Sequence, residues 1–241
     1  AKDVCVKTRE IVVTGVNVSD YGADIGLRLS DLVEALAAIP IRKRFGSLEC
    51  TVIDDDLLDK MKNSGFCDSF HLSMQSGSDS VLKRMNRHYT AGEFLSKIEL
   101  IKKHFPNAGI TTDIITAFPG ETDEEFSETL QTVEKAGFLD MHVFPYSVRP
   151  GTKAAEMQQV PSETAKKRTD ELLVRKTISN RLFIDSQIGR ECEVFVEDSE
   201  DGFNVGYTSN YIKVYTKAPA GSFRKHKIIA HHRNGAMGEE L

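Results

Sequence analysis

The sequence predicts an α/β fold, an incomplete parallel (β/α) barrel followed by a small all-β barrel. Two observations carry this. Over residues 1–160, short β-branched runs alternate with stretches whose apolar residues recur at helical spacing, the pattern of strand–helix units around a parallel sheet. After Gly189 the helical periodicity stops, and short strand-like runs follow one another across Asp-Gly, Ser-Asn and Pro-Ala-Gly turns.

The first strand candidate is 11–14, ended by Gly15. Leu32, Val33, Leu36 and Ala37 then share a helical face behind Ser30, the expected N-cap. Residues 48–53 are the second strand candidate, and Leu57, Leu58 and Met61 mark a helix that Gly65 ends. Residues 70–74, 110–117 and 141–146 are the third, fourth and fifth strands. Val81, Leu82 and Met85 mark a helical stretch after the third. Thr90 with Glu93, and Thr122 with Glu125, have capping-box spacing ahead of apolar faces at Phe94, Ile98 and Ile101 and at Phe126, Leu130 and Val133. Five strands are too few for an eight-stranded barrel, and a ligand site in such a sheet lies at the C-terminal strand ends.

Composition narrows the function classes. With 40% hydrophobic residues among 241, the chain can bury a large core. A net charge of −5 does not advertise a polyanion partner, so any nucleic-acid surface must be local. No apolar run approaches the ~18 residues of a membrane span. The first nine residues lack the layout of a signal peptide, and a cytoplasmic location is expected. The four cysteines, at 5, 50, 67 and 192, form no C-x-x-C pair, so neither a zinc site nor a disulfide framework is predicted. The start at Ala1, mid-element by its pattern, points to truncation.

The domain boundaries expected are 1–160 for the partial barrel, 161–187 for a charged linker helix, and 188–241 for the β-barrel. Charge in the last is split. Residues 187–205 carry one Arg against six acids, whereas 206–241 carry six Lys and Arg against two. Tyr207, Tyr211 and Tyr215 are interleaved with those cations, a composition suited to RNA bases and phosphates.

Polar or small residues cluster where the core strands end: Thr14, Gly15 and Asn17; Glu49; Gln75, Ser76, Gly77 and Ser78; and Phe118 to Thr122. Gly15, Gly77 and Gly120 would let backbone approach a ligand, and Thr122 opens a helix whose free amides suit an acidic group. Singly these are ordinary turns and caps. Gln75 and Asp113 are harder to set aside, because a buried amide or carboxylate without a partner is costly.

The strings EIVVTGVN at 10–17, QSGSD at 75–79 with VLKRMNR at 81–87, TDIITAFPGET at 112–122 and YSVRPGT at 146–152, in this order, resemble the methylthiotransferase family of radical S-adenosylmethionine enzymes. The terminal β-barrel resembles the TRAM domain with which these enzymes hold tRNA. GYTSNY at 206–211 is similar to the branch acting on N6-threonylcarbamoyladenosine at position 37, in the anticodon stem-loop; the isopentenyladenosine branch is the alternative. The resemblance implies S-adenosylmethionine and two [4Fe-4S] clusters in the parent enzyme, with a methylthio group installed at C2 of the adenine by a radical reaction.

By the same resemblance, Thr14 and Gly15, with Asn17 nearby, face the methionine amino group. Glu49, Gln75 and Ser76 make polar contacts with the cofactor, Arg87 takes its carboxylate, Asp113 its ribose hydroxyls, and Ile115, Phe144 and Tyr146 flank the adenine. Arg190, Tyr207, Asn210, Tyr211, Lys213, Lys217, Arg224 and Lys225 are the implied RNA contacts. Ala117 departs from the family's glycine, and its methyl is expected to crowd the adenine. No catalytic side chain is implied. The family's cysteine triads are missing from the sequence, so the chain is expected to be an inactive fragment of a longer enzyme, or else a non-catalytic tRNA-binding module.

Overall fold

The computed structural model describes residues 8–241. Five parallel strand positions make an open half-barrel. β1 (Glu10–Val13) pairs with β2 (Arg42–Phe45), which resumes after Gly46 as β3 (Ser47–Leu48). β3 pairs with β4 (Ser69–Leu72), and then follow β5 (Gly109–Thr116) and β6 (Asp140–Pro145). Parallel neighbours require crossovers, supplied by α1 (Leu29–Ala37), α2 (Asp55–Lys62), α3 (Asp79–Arg84) with α4 (Ala91–His104), and α5 (Asp123–Ala136). Alternation along β5 sets the layers. Ile110, Thr112, Ile114 and Thr116 are buried, whereas Thr111, Asp113 and Ile115 are half-buried, with Thr111 and Asp113 lining the concave side.

Both predicted capping boxes form, at Thr90 with Glu93 and at Thr122 with Glu125. Two local expectations are corrected. α1 begins after Arg28, whose backbone N–H donates to Asp31 Oδ2 at 2.8 Å, and Ser30 lies buried inside the helix. The second strand runs over 42–48, while Cys50–Val52 is a single 3-10 turn. Its basic sequence hides it, because one of its inward positions is Lys43. That ammonium is buried and donates to the carbonyls of Ile39, Ile41 and Ser64 at 2.7, 2.9 and 2.7 Å, so all three donors are satisfied.

After α6 (Lys153–Glu156), α7 (Ser162–Asp185) is docked along the half-barrel. Ser179 Oγ and Asn180 Nδ2 donate to the carbonyls of Phe138 and Leu139 at 2.6 and 2.9 Å. Near its start, Arg168 reaches the loop after β5. One terminal nitrogen bonds Glu121 Oε2 at 2.8 Å and the other Asp123 Oδ1 at 2.7 Å, with the side chains of Arg168 and Glu121 only 7% and 1% exposed. Burial pushes the Glu121 carboxyl above its usual range, and Arg168 opposes that shift.

The chain ends in a closed five-stranded barrel: β7 (Glu191–Glu200), β8 (Phe203–Thr208), β9 (Lys213–Thr216), β10 (Ser222–His232) and β11 (Gly235–Glu240), in the order β10-β11-β9-β8-β7. β11 lacks β-branched residues, and no strand is legible there in the sequence. Its Gly238 is set by packing, since a Cβ would lie 2.5 Å from the Val214 side chain. This barrel meets the N-terminal ends of the half-barrel strands. Arg42 donates to the Tyr207 carbonyl at 3.0 Å, and Asn210 Nδ2 to the Asn107 carbonyl at 2.7 Å.

Arg168→Ala leaves Glu121 buried without its cation and is expected to cost about 3–5 kcal/mol of unfolding free energy in urea titration. A loss near zero would mean that the pair does not hold the loop.

Candidate active site

The C-terminal strand ends are shaped by backbone as much as by side chains. Gln75 lies in the left-handed region, φ 65°, yet keeps the ladder going: its N–H donates to the Asp113 carbonyl at 2.8 Å, and its carbonyl accepts from Ile115 at 2.9 Å. Such a backbone is unusual for a residue with a Cβ. Ala117 shares it, with φ 54° and its amide held by Glu121 Oε2 at 2.9 Å. A glycine at this position would relieve backbone strain of about 1–2 kcal/mol. Ala117 is itself buried.

Arg87 is presented by the end of α3. Asn86, φ 58°, and Arg87 donate their N–H groups to Lys83 and Leu82, a Schellman motif with asparagine at the left-handed position. Its guanidinium meets Glu49 at 3.5 Å, and both side chains reach solvent, 31% and 43% exposed. Thr14, Gly15 and Phe144 are exposed, and Ile115 is half-buried. Tyr146 packs edge-on against Phe118 at 5.4 Å, its hydroxyl buried with no partner among the described residues.

Other strand-end residues are committed to packing. Asn17 caps a 3-10 turn through Ser19 and Asp20. Ser76 is buried, 3.3 Å from the Thr129 hydroxyl of α5, so its side chain turns away from the strand-end opening. Gly77 is needed for the same helix, because a Cβ there would lie 2.7 Å from the Thr129 Cα. The start of α5 is also self-satisfied. Glu125 accepts from the Thr122 amide at 2.9 Å and pairs with Arg84, whose hydrogen bonds hold it down to about 2. That depressed carboxyl stabilises the fold above pH ~4.5 and loses its contribution as pH falls through about 2. Glu125→Gln should therefore flatten the acid loss of stability in that window, as followed by circular dichroism.

Below the opening, Asp113 joins two histidines that sequence reading missed. His71 Nε2 and His142 Nδ1 each lie 3.1 Å from its carboxylate oxygens, and the hydrogen bond from His71 chiefly holds the Asp113 carboxyl below its usual range. Each Asp113 oxygen thus accepts one histidine hydrogen bond and keeps a second lone pair. The signal was present in the sequence, as one polar residue between two apolar ones in Phe70-His71-Leu72 and Met141-His142-Val143. The group opens on a cavity of about 720 Å³ that also includes Arg44, Tyr207, Tyr211 and Lys213.

Those β-barrel residues face the half-barrel. The rings of Tyr207 and Tyr211 stack at 4.8 Å, and the Arg44 guanidinium lies 4.5 Å from the Tyr211 centroid. Lys213 pairs with Glu200, and Asn210 is buried in the seam. Tyr207, Asn210, Tyr211 and Lys213 thus do not form the free RNA-facing surface expected. Arg190 is half-buried and donates to Gln187 at 2.6 Å. Lys217 and Lys225 are exposed, and Arg224 is partly so, beside Glu240 at 3.1 Å.

The family profile described as the Radical SAM superfamily matches residues 2–133 of the 241. The chain belongs to the radical SAM superfamily. Over 211 residues it is 40% identical to "Threonylcarbamoyladenosine tRNA methylthiotransferase MtaB" of Thermotoga maritima, covering 85% of this chain and 48% of that protein. Over 227 residues it is 37% identical to "tRNA-2-methylthio-N(6)-dimethylallyladenosine synthase" of Acetivibrio thermocellus, covering 92% and 45%. The radical SAM chain spans about half the length of the curated relatives it matches. Among solved structures it shares its fold with coproporphyrinogen III oxidase (HemN) from Escherichia coli, with TM-score 0.53 and 16% identity over 84% of this chain and 51% of that one. No helix of the described residues is long and apolar enough to cross a membrane.

The superfamily implies S-adenosylmethionine and a [4Fe-4S] cluster. The paired opposite charges of Arg87 and Glu49 fit the zwitterionic methionine end of the former. The cysteines described do not fit the latter. Cys50 and Cys67 are core residues whose thiols burial pushes up to about 11 and about 12, and Cys192 lies in the β-barrel at about 11. Cluster ligation needs several thiolates gathered at one point. Cys5 lies outside the described residues. Arg87→Gln is expected to weaken S-adenosylmethionine binding roughly tenfold by calorimetry, the scale of one charge-assisted contact.

Proposed function

We propose that this chain serves a tRNA methylthiotransferase that places a methylthio group on C2 of N6-threonylcarbamoyladenosine 37, in the anticodon stem-loop. The observation that carries this reading is the continuity of a radical SAM half-barrel with a small closed β-barrel, joined by a docked helix. The 40% identity to the Thermotoga maritima protein supports it. The 37% identity to the dimethylallyladenosine synthase favours a second reading, an isopentenyladenosine substrate, and the polar histidine–aspartate group of the cavity weighs against that one.

In this reading residues 1–160 are the partial radical SAM barrel, 161–187 the linking helix, and 188–241 a TRAM-like module for tRNA. S-adenosylmethionine supplies the radical chemistry in the intact enzyme, whose two [4Fe-4S] clusters are held by residues other than the cysteines described. The parts of this chain bind and orient. Arg87 receives the methionine carboxylate, while Glu49, with Thr14 and Gly15, receives the amino group. Gln75 offers its amide from a fixed backbone, and Ile115, Phe144 and Tyr146 give the adenine apolar walls. Lys217, Arg224 and Lys225 neutralise phosphates. By itself the chain is a binding platform without turnover.

Binding to an anticodon stem-loop, read by fluorescence anisotropy, should weaken steeply with added salt. Arg224→Ala and Lys225→Ala should each lower the log–log slope by about one. Salt-independent binding, or slopes unchanged in both variants, would remove the RNA role from the β-barrel.

A further inference from the structure

His71, Asp113 and His142 stand on three neighbouring strands, β4, β5 and β6, in register: His71 lies opposite Thr111, and Asp113 opposite His142. All three face the concave side and its cavity. Asp113 is two residues before Ile115, which places the group about 7 Å below the strand-end opening at ~3.3 Å per residue. A base that enters from the open side next to the cofactor can therefore direct a substituent onto these side chains.

The hydrogen bonds define what the group offers. With its carboxyl held below the usual range, Asp113 is an ionised acceptor, so His71 Nε2–H and His142 Nδ1–H both donate to it. His71 is then complete, because its Nδ1 accepts from the Thr111 hydroxyl at 2.8 Å. His142 is not. Its side chain is 62% exposed, and its Nε2 has no hydrogen-bond partner among the described residues. With Nδ1–H given to Asp113, Nε2 faces the cavity as a free acceptor, the partner that an N–H of an incoming group requires. Arg44 lines the same cavity. Only its Nε is hydrogen-bonded among the described residues, to Glu10 Oε1 at 3.1 Å, which leaves the guanidinium fork for a planar acid.

We infer that the cavity built on His142, Asp113, His71 and Arg44 is a specificity site for an N6 substituent that bears a carboxylate. The inference rests on the methylthiotransferase reading and names the part of the substrate that this cavity takes. The acid of such a group finds the Arg44 fork as donor, and its ureido N–H finds His142 Nε2 as acceptor. An all-carbon dimethylallyl group would strip water from the same polar groups and give nothing back, the asymmetry by which polar pockets reject apolar analogues.

The test compares three anticodon stem-loops that differ at position 37 alone, carrying adenosine, N6-dimethylallyladenosine or N6-threonylcarbamoyladenosine, bound to the 241-residue chain in anisotropy titrations. The acid-bearing RNA should bind about tenfold or more tighter than the other two, the scale of one or two charge-assisted contacts. His142→Asn and Arg44→Gln should each bring that ratio towards one. His142 is exposed and free of core packing, so its variant keeps the fold, which thermal unfolding verifies. Equal affinity of the wild type for all three RNAs overturns the specificity site and leaves RNA binding standing. A tenfold preference unchanged in both variants overturns the assignment to these residues. Stoichiometric zinc uptake lost in His142→Asn, without any RNA preference, would make the group a metal site and overturn the inference equally. Failure to bind any of the stem-loops removes the underlying reading together with it.

Discussion

A buried carboxylate can persist only if its charge is met, and the rest of this structure depends on how Glu121 meets that requirement. Arg168 and the amide of Ala117 both converge on it. The first contact fastens α7 to the loop after β5, and the second holds Ala117 in its left-handed conformation. One pair of charges thus fixes two things at once, the backbone at the edge of the strand-end opening and the origin of the helix that carries the β-barrel. Asp123, taken by the second nitrogen of Arg168, ties the first turn of α5 to the same point.

Much of the fold was legible because its signals are local. Thr90 with Glu93 and Thr122 with Glu125 write their helix starts in side chains that bond their own backbone, and 110–117 reads as a strand from its β-branched run. What stayed hidden depends on distant partners. Lys43 looks like a loop residue until three carbonyls from two segments close around its ammonium. Gly235 to Glu240 looks like a tail until Val214 explains why a glycine must stand at 238. In each case tertiary packing overrides local preference.

The site divides along the same line. Arg87 was singled out because the string around it resembles a family and Glu49 as a polar strand-end residue, and the structure brings the two together in one ion pair. Ser76 and Gly77 lie in an equally recognisable string, but they serve the packing of α5. Tyr207, Tyr211 and Lys213 were read as an RNA face from composition, which cannot tell an aromatic facing solvent from one stacked in a seam. His71 and His142 carry no motif, and only the register of three strands makes them neighbours of Asp113.

The β-barrel sits at the N-terminal ends of the half-barrel strands, whereas the opening with Arg87 and Glu49 lies at their C-terminal ends. The eight residues of β5 between them span about 26 Å at ~3.3 Å per residue. A ligand that grips one end and reacts at the other must reach across that length along the open side. The sheet is in effect a ruler: a mononucleotide can occupy either station but not both, while a folded stem-loop is long enough to be measured by it.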